Sequence, residues 1–196
     1  MALPTYNKNN RRKSFEALPK GAYVLKILDA KIEKNKNNNG EHIKVSFDIA
    51  EGDHKDFYAN QYKASTKEDK QWPFDAVYRV NIPDNDSPAY VWTNYNSFFA
   101  DLEDSNNGFV FSGDDLKILK GKLIGGKFRN EQSEYKGTVY DHTRLAWTCV
   151  AEDVRQGKAG KMPNDKLVKG KATAPATDSD GFMSIAEDVD MELPFV

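Results

Sequence analysis

Residues 41–50 alternate with a period of two. Ile43, Val45, Phe47 and Ile49 are separated by His42, Lys44, Ser46 and Asp48, the pattern of a strand with one buried face. Residues 21–34 carry the same period but change phase. Tyr23, Leu25 and Ile27 share one face and Leu28, Ala30 and Ile32 the other. The switch predicts a bulge or sharp coil at Ile27 and Leu28, by which one strand serves two sides of a curled sheet. The Asn-rich residues 35–40 join the two as a hairpin. The polar face of the second strand is either solvated or a ligand surface, and periodicity does not decide between them.

Further along, residues 57–64 read as a third strand with Tyr58 and Tyr62 on one face, residues 65–71 as charged loop, and residues 78–82 as a short strand ended by Pro83. Residues 87–106 are the helical segment. Ser87 and Pro88 resemble an N-cap followed by proline at the first helical position. Val91, Tyr95, Phe98, Phe99 and Leu102 then recur at helical spacing. After a helical turn at 114–119, residues 120–129 and 138–150 read as two strands of a second hairpin, with a turn within 130–137. Gly125 and Gly126 inside the first of them mark a kink or a close backbone approach. In the second, Leu145, Trp147 and Cys149 alternate with Arg144, Ala146 and Thr148.

Composition narrows the class. The 196 residues, 39% apolar and 12% aromatic, suffice for one modest core plus appendages. There is no apolar run long enough to span a membrane, and the N-terminus lacks the apolar stretch of a signal peptide. One cysteine, Cys149, excludes an internal disulfide and fits a reducing cytoplasm. Three widely spaced histidines with that cysteine form no metal-ligand pattern. The acidic turns at 84–86 and 113–115 have no nucleophile or base paired with them, so neither a cofactor nor an enzymatic activity is expected.

Charge is unevenly placed. All 28 Lys and Arg precede Ala172, with 24 of the 30 acids, a net of +4; six acids and no base follow it. Such asymmetry points to a polyanion-binding body with an acidic tail, or to two solvated regions that merely differ. Residues 1–20 form a basic arm, residues 21–153 the folded domain, residues 154–177 a basic linker and residues 178–196 the tail. In the domain, aromatics are interleaved with cations. Phe57, Tyr58, Tyr62, Trp72, Phe74 and Tyr78 alternate with Lys55, Lys63, Lys67, Lys70 and Arg79, and the second hairpin carries Lys122, Lys127, Arg129, Lys136 and Arg144 beside Phe128, Tyr135 and Tyr140. A single-stranded nucleic-acid groove needs this mixture, because rings stack on unpaired bases while cations track phosphates. The competing reading, that the same rings fill a small core, is the default for any one of them, because apolar burial is the rule.

Hairpin, strands, helix and second hairpin follow the order of a mainly β, five-stranded OB-type Greek-key barrel with one helix. On Gly21-Ala22-Tyr23, the strand ending at Ile49, the helix near Trp92 to Leu102, and Leu119-Lys120-Gly121-Lys122 leading to Tyr135-Lys136-Gly137, the chain resembles phage-type single-stranded DNA-binding proteins with an OB-fold core. Its end, from Glu187 to Phe195, is similar to the acidic tips by which such proteins recruit partners, although Val196 follows Phe195 here. The resemblance implies sequence-independent, non-enzymatic coating of single-stranded DNA during phage replication or recombination, in the cytoplasm of a bacterial host. It implies strand contacts from Lys44, Tyr58, Tyr62, Trp72, Lys127, Phe128, Arg129, Tyr135 and Arg144. It assigns recruitment of replication or recombination proteins to Asp188, Asp190, Glu192, Leu193, Pro194 and Phe195. An RNA-binding OB module, or an assembly factor that binds no nucleic acid, stays open, as does assembly into a homo-oligomer.

Overall fold

A computed structural model describes residues 5, 17–35, 40–113 and 115–168. Five strands and three helices follow one another: β1 (Ala22–Lys34), β2 (Glu41–Ile49), α1 (Phe57–Ala64), β3 (Val77–Asn81), α2 (Ala89–Ser105), β4 (Leu123–Tyr135), β5 (Thr138–Cys149) and α3 (Ala151–Arg155). One-turn 3-10 segments lie at Phe74–Ala76 and Leu116–Leu119. The strands make one antiparallel sheet in the order β3-β2-β1-β4-β5. Among the described residues no ladder joins β3 to β5, so the sheet is open along that seam.

The phase change in β1 is a bulge. Ile27 pairs with Phe47 and Asp29 with Ser46, leaving Leu28 as the extra residue. Its effect differs from the expected one. Pairing of Ala30 with Val45 and Ile32 with Ile43 returns both apolar sets to a single face, because one inserted residue cancels the one-residue change of phase. That face and α2 build the core. Leu25, Ile27, Ile43, Val45, Phe47, Ile49, Val80, Ile124 and Phe128 meet Phe98, Phe99 and Leu102. The helical stripe read in α2 is therefore core. Its start is shifted by one residue: Pro88 holds the cap position. Ser87 Oγ turns back instead, donating to Asp84 Oδ1 at 2.7 Å and accepting the Asp84 N–H at 3.0 Å.

Residues 57–64 are a helix, not the expected strand. Tyr58 and Tyr62 are four apart, a spacing that shares a face in either structure, so the rings alone did not discriminate. Tertiary structure did. The buried Asp48 carboxylate of β2 accepts the N–H of Tyr58 at 2.9 Å and of Ala59 at 2.9 Å, as well as its neighbour Ile49 at 2.8 Å. It thereby satisfies the first turn of α1 from across the fold, where the local cap residue Asp56 makes no side-chain hydrogen bond. Burial nonetheless pushes the Asp48 carboxyl upward, against the opposing pull of these N–H groups.

The second hairpin is longer than expected. β4 continues to Tyr135, and the chain reverses over Lys136 and Gly137 alone, both at positive φ (51° and 80°), as a tight two-residue hairpin turn demands. Gly125 and Gly126 mark close approaches. A Cβ on Gly125 would sit 2.8 Å from the carbonyl oxygens of Cys149 and Val150, and one on Gly126 2.6 Å from Leu25 Cδ1. β5 carries a second bulge: Lys127 pairs with Trp147 but Phe128 with Leu145, so Ala146 is extra. Leu145 consequently joins Phe128 on the core face, while Trp147 and Cys149 face the other way. The expected common face of Leu145, Trp147 and Cys149 is thus broken.

The stretch read as a basic linker is docked as far as Val168. Lys166 bridges the edge of β4 by donating to Asn130 O at 2.9 Å and accepting from Gln132 N at 2.8 Å. Asp165 pairs with Lys20 at 2.8 Å, and Leu18 in the N-terminal arm is buried. Among the described residues no helix is long and apolar enough to cross a membrane.

Candidate nucleic-acid interface

The sheet face opposite the core carries a row of cations. Lys31 on β1 pairs directly with Lys44 on β2, and Lys44 directly with Arg79 on β3. Neighbouring strands are about 4.8 Å apart, so three positive side chains sit abreast within about 10 Å. Like charges placed opposite one another destabilise a sheet. One carboxylate offsets part of this: Glu33 reaches Lys31 at 2.9 Å and Lys44 at 3.2 Å. The hydrogen bond from Lys31 holds its carboxyl below the ordinary range, with a further contribution from Lys44. Arg79 makes no ion pair among the described residues. Burial, then the Arg79 and Lys44 charges, depress the adjacent His42, whose Nδ1 lies 2.7 Å from Asn35 Oδ1.

The row does not end at β3. In front of it, the 3-10 turn Phe74–Ala76 holds the Phe74 ring over the open seam. Arg79 Cζ lies 5.5 Å from the ring centroid, and Arg144 Cζ of β5 lies 4.2 Å from it. Arg144 pairs in register with Arg129 of β4, a second direct opposition of like charges. Its carboxylates are shared. Glu131 meets Arg129 at 3.1 Å, Lys166 at 3.3 Å and Arg144 at 3.8 Å, while Asp75 meets Arg144 at 3.8 Å and His142 Nδ1 at 3.3 Å. Burial works against ionisation of Glu131, but its hydrogen bonds from Arg129 and Lys166 leave the carboxyl below its ordinary range. The Nε of Arg129 is buried with no partner.

From Arg129 and Arg144 the same face runs out along the hairpin. Glu131 pairs with His142, Ser133 with Tyr140 and Tyr135 with Thr138, placing Tyr140 (47% exposed) and Tyr135 (64% exposed) on the side that carries the arginines. Lys136 Nζ stands 5.3 Å from the Tyr135 ring centroid. In the other direction lies the pair of Lys127 and exposed Trp147. One face therefore carries cations and exposed rings in succession from β1 across the seam and along the hairpin.

The expected strand-contacting residues divide against this geometry. Lys44, Lys127, Arg129, Tyr135 and Arg144 lie on the face. Tyr58 and Phe128 do not: Tyr58 is 2% exposed and edge-on to Phe47 and Phe57, and Phe128 is fully buried beneath Tyr23 and Phe47. Both are core residues, and as base platforms they are corrected. Their burial follows from register and from the helical form of α1. Tyr62 and Trp72 pack on each other elsewhere, with centroids 5.8 Å apart and Trp72 half-buried against the core. The tail residues Asp188, Asp190, Glu192, Leu193, Pro194 and Phe195 lie outside the described residues. Lys31 and Trp147 stand outside the aromatic–cation mixture read from the sequence, and Phe74, Arg79 and Tyr140 belong to that mixture but not to the expected contacts. For Lys31 and Arg79 the missing signal was register, since only strand pairing puts them abreast of Lys44.

An open five-stranded antiparallel sheet bearing a basic, aromatic-studded outer face defines the structural class. Within it, residues 4–82, from the N-terminal arm through β3, match the DUF669 family, described as a protein family of unknown function. No curated protein matches the chain.

Proposed function

We propose that the protein binds single-stranded DNA without strong sequence preference, as a non-enzymatic component of phage DNA replication or recombination. The observation that carries this is the abreast row of Lys31, Lys44 and Arg79, served by one carboxylate. Such an arrangement costs the free sheet stability and is relieved by a polyanion. The strand order and the helix between β3 and β4 support an OB-type barrel with an incompletely closed seam, a fold that binds oligonucleotides on its second and third strands and on the loops joining its first to second and fourth to fifth strands. The row runs from β1 across β2 and β3, and the hairpin of β4 and β5 extends it. Exposed rings beside the cations favour unpaired bases over a duplex, whose bases are already stacked. In this reading the acidic C-terminal residues recruit partner proteins, and the protein works in the cytoplasm of a bacterial host.

The test is a titration of the full chain with labelled oligo-dT of about thirty nucleotides, longer than one OB-fold site, against duplex DNA and oligo-rU of equal length. The expected result is Trp147-dependent quenching of emission on single-stranded DNA, weakening steeply with salt. Equal affinity for duplex would overturn the reading, and preference for oligo-rU would reassign the substrate to RNA.

A further inference from the structure

Phe74 is an apolar ring left in water. It is 55% exposed, although Ala76, two residues on, is fully buried. The 3-10 turn fixes it where the sheet is open, between Arg79 of β3 and Arg144 of β5. Two guanidiniums lie near it, Arg144 with Cζ at 4.2 Å and Arg79 with Cζ at 5.5 Å from the centroid. Arg144 is in turn held by Asp75 and Glu131, each at 3.8 Å. These ion pairs are long enough to leave its N–H groups capable of a better acceptor. A strand running from the cation row across the open seam to the hairpin face passes this ring.

Resting on the single-strand reading above, we infer that Phe74 is the stacking platform for one unpaired nucleobase, whose two flanking phosphodiesters lie on Arg79 and Arg144. The recognised unit is a base between two phosphates. A free phosphate would use the guanidiniums and ignore the ring, and a paired base has no face to offer. Arg144 serves both halves of the unit, since a guanidinium stacks on a π system and donates in its own plane. Tyr135 and Tyr140 lie farther out on the hairpin and have no such pair of arginines.

Binding of oligo-dT is compared with that of an abasic deoxyribose-phosphate oligomer of equal length, which keeps the phosphates and lacks the bases. Phe74→Ala and Phe74→Leu are each expected to weaken oligo-dT about tenfold, the scale of one lost base stack, and to leave the abasic oligomer within twofold. Phe74→Trp retains oligo-dT affinity. Arg144→Gln weakens both ligands. Phe74→Leu keeps the apolar bulk, so a folding defect cannot imitate the result. Equal weakening of both oligomers by Phe74→Leu would reduce the ring to a structural part and overturn the inference, as would no change in either. If wild type binds the oligomers but Phe74→Ala is silent, the single-strand reading stands and this inference alone falls. If wild type binds neither, both fall.

Discussion

Neutralising the row of cations gives a test with a computable size. The triple variant Lys31→Gln, Lys44→Gln, Arg79→Gln removes three charges that lie abreast on β1, β2 and β3. For a single strand, each phosphate neutralised contributes about 0.7 to the slope of log affinity against log salt. The variant should therefore bind oligo-dT with a slope shallower by about 2. Stability responds differently. Two directly opposed like-charge pairs are relieved, at roughly 0.2–1 kcal/mol each. Two solvent-screened ion pairs to Glu33, at 2.9 and 3.2 Å, are lost as well, and exposed pairs of this kind contribute little. These terms cancel to within about 1 kcal/mol, so Tm should move by no more than about 4 °C. The triple variant Lys63→Gln, Lys117→Gln, Lys158→Gln, at exposed positions outside the row, is the control for net charge. The assay is fluorescence titration at four salt concentrations with thermal unfolding on the same samples. An unchanged slope with intact folding would refute the assignment of phosphates to this face. A large loss of Tm would show that the row is held by contacts stronger than its single carboxylate.

Three predictions concern the scaffold. Gly125→Ala should cost about 2 kcal/mol in urea unfolding, because the added Cβ meets two backbone carbonyls at 2.8 Å that cannot rotate aside; an unshifted midpoint would contradict the close approach. Asp48→Ala should cost about 2–4 kcal/mol, since three backbone N–H groups lose a charged acceptor, and α1 should show the earliest loss of amide-exchange protection. Burial raises the Asp101 carboxyl above its ordinary value despite the hydrogen bond it accepts from Thr148. A raised acid favours the folded state most when protonated, so its contribution declines as pH rises through the raised value. Asp101→Asn is accordingly expected to raise Tm at pH 7 and to leave it unchanged near pH 3; a gain of equal size at both pH values would exclude the titration of Asp101 as its cause.

The first hairpin, α2 and the pairing of β4 with β5 were legible because each rests on a periodicity that neighbours reinforce. The bulge at Leu28 was legible for the same reason: two apolar sets out of phase cannot belong to one uninterrupted strand. Its consequence was not, because whether a phase change curls a strand or corrects it depends on the partner's register, here Ile43 and Val45 on β2. Residues 57–64 were misread because a spacing of four fits both strand and helix, and the deciding contact, Asp48, is distant in sequence. The site was half legible. Lys44, Lys127, Arg129, Tyr135 and Arg144 stood out by type, whereas Lys31 and Arg79 gain their meaning only from pairing. Tyr58 and Phe128 carry the same chemistry as exposed rings, and burial alone separates them.

The two bulges have a consequence for how such a surface can arise. Were β1 to alternate strictly from Leu25 and Ile27, Lys31 would point into the core; were β5 to alternate strictly from Trp147, Arg144 would leave its side. Leu28 and Ala146, neither of them a cation or an exposed ring, turn those two residues outward. The interface is thus specified by residue count as much as by residue type. Two single-codon insertions into straight strands would turn Lys31 and Arg144 outward without altering any charged residue. Deleting either one should invert its end of the binding face while leaving every charged residue in the sequence.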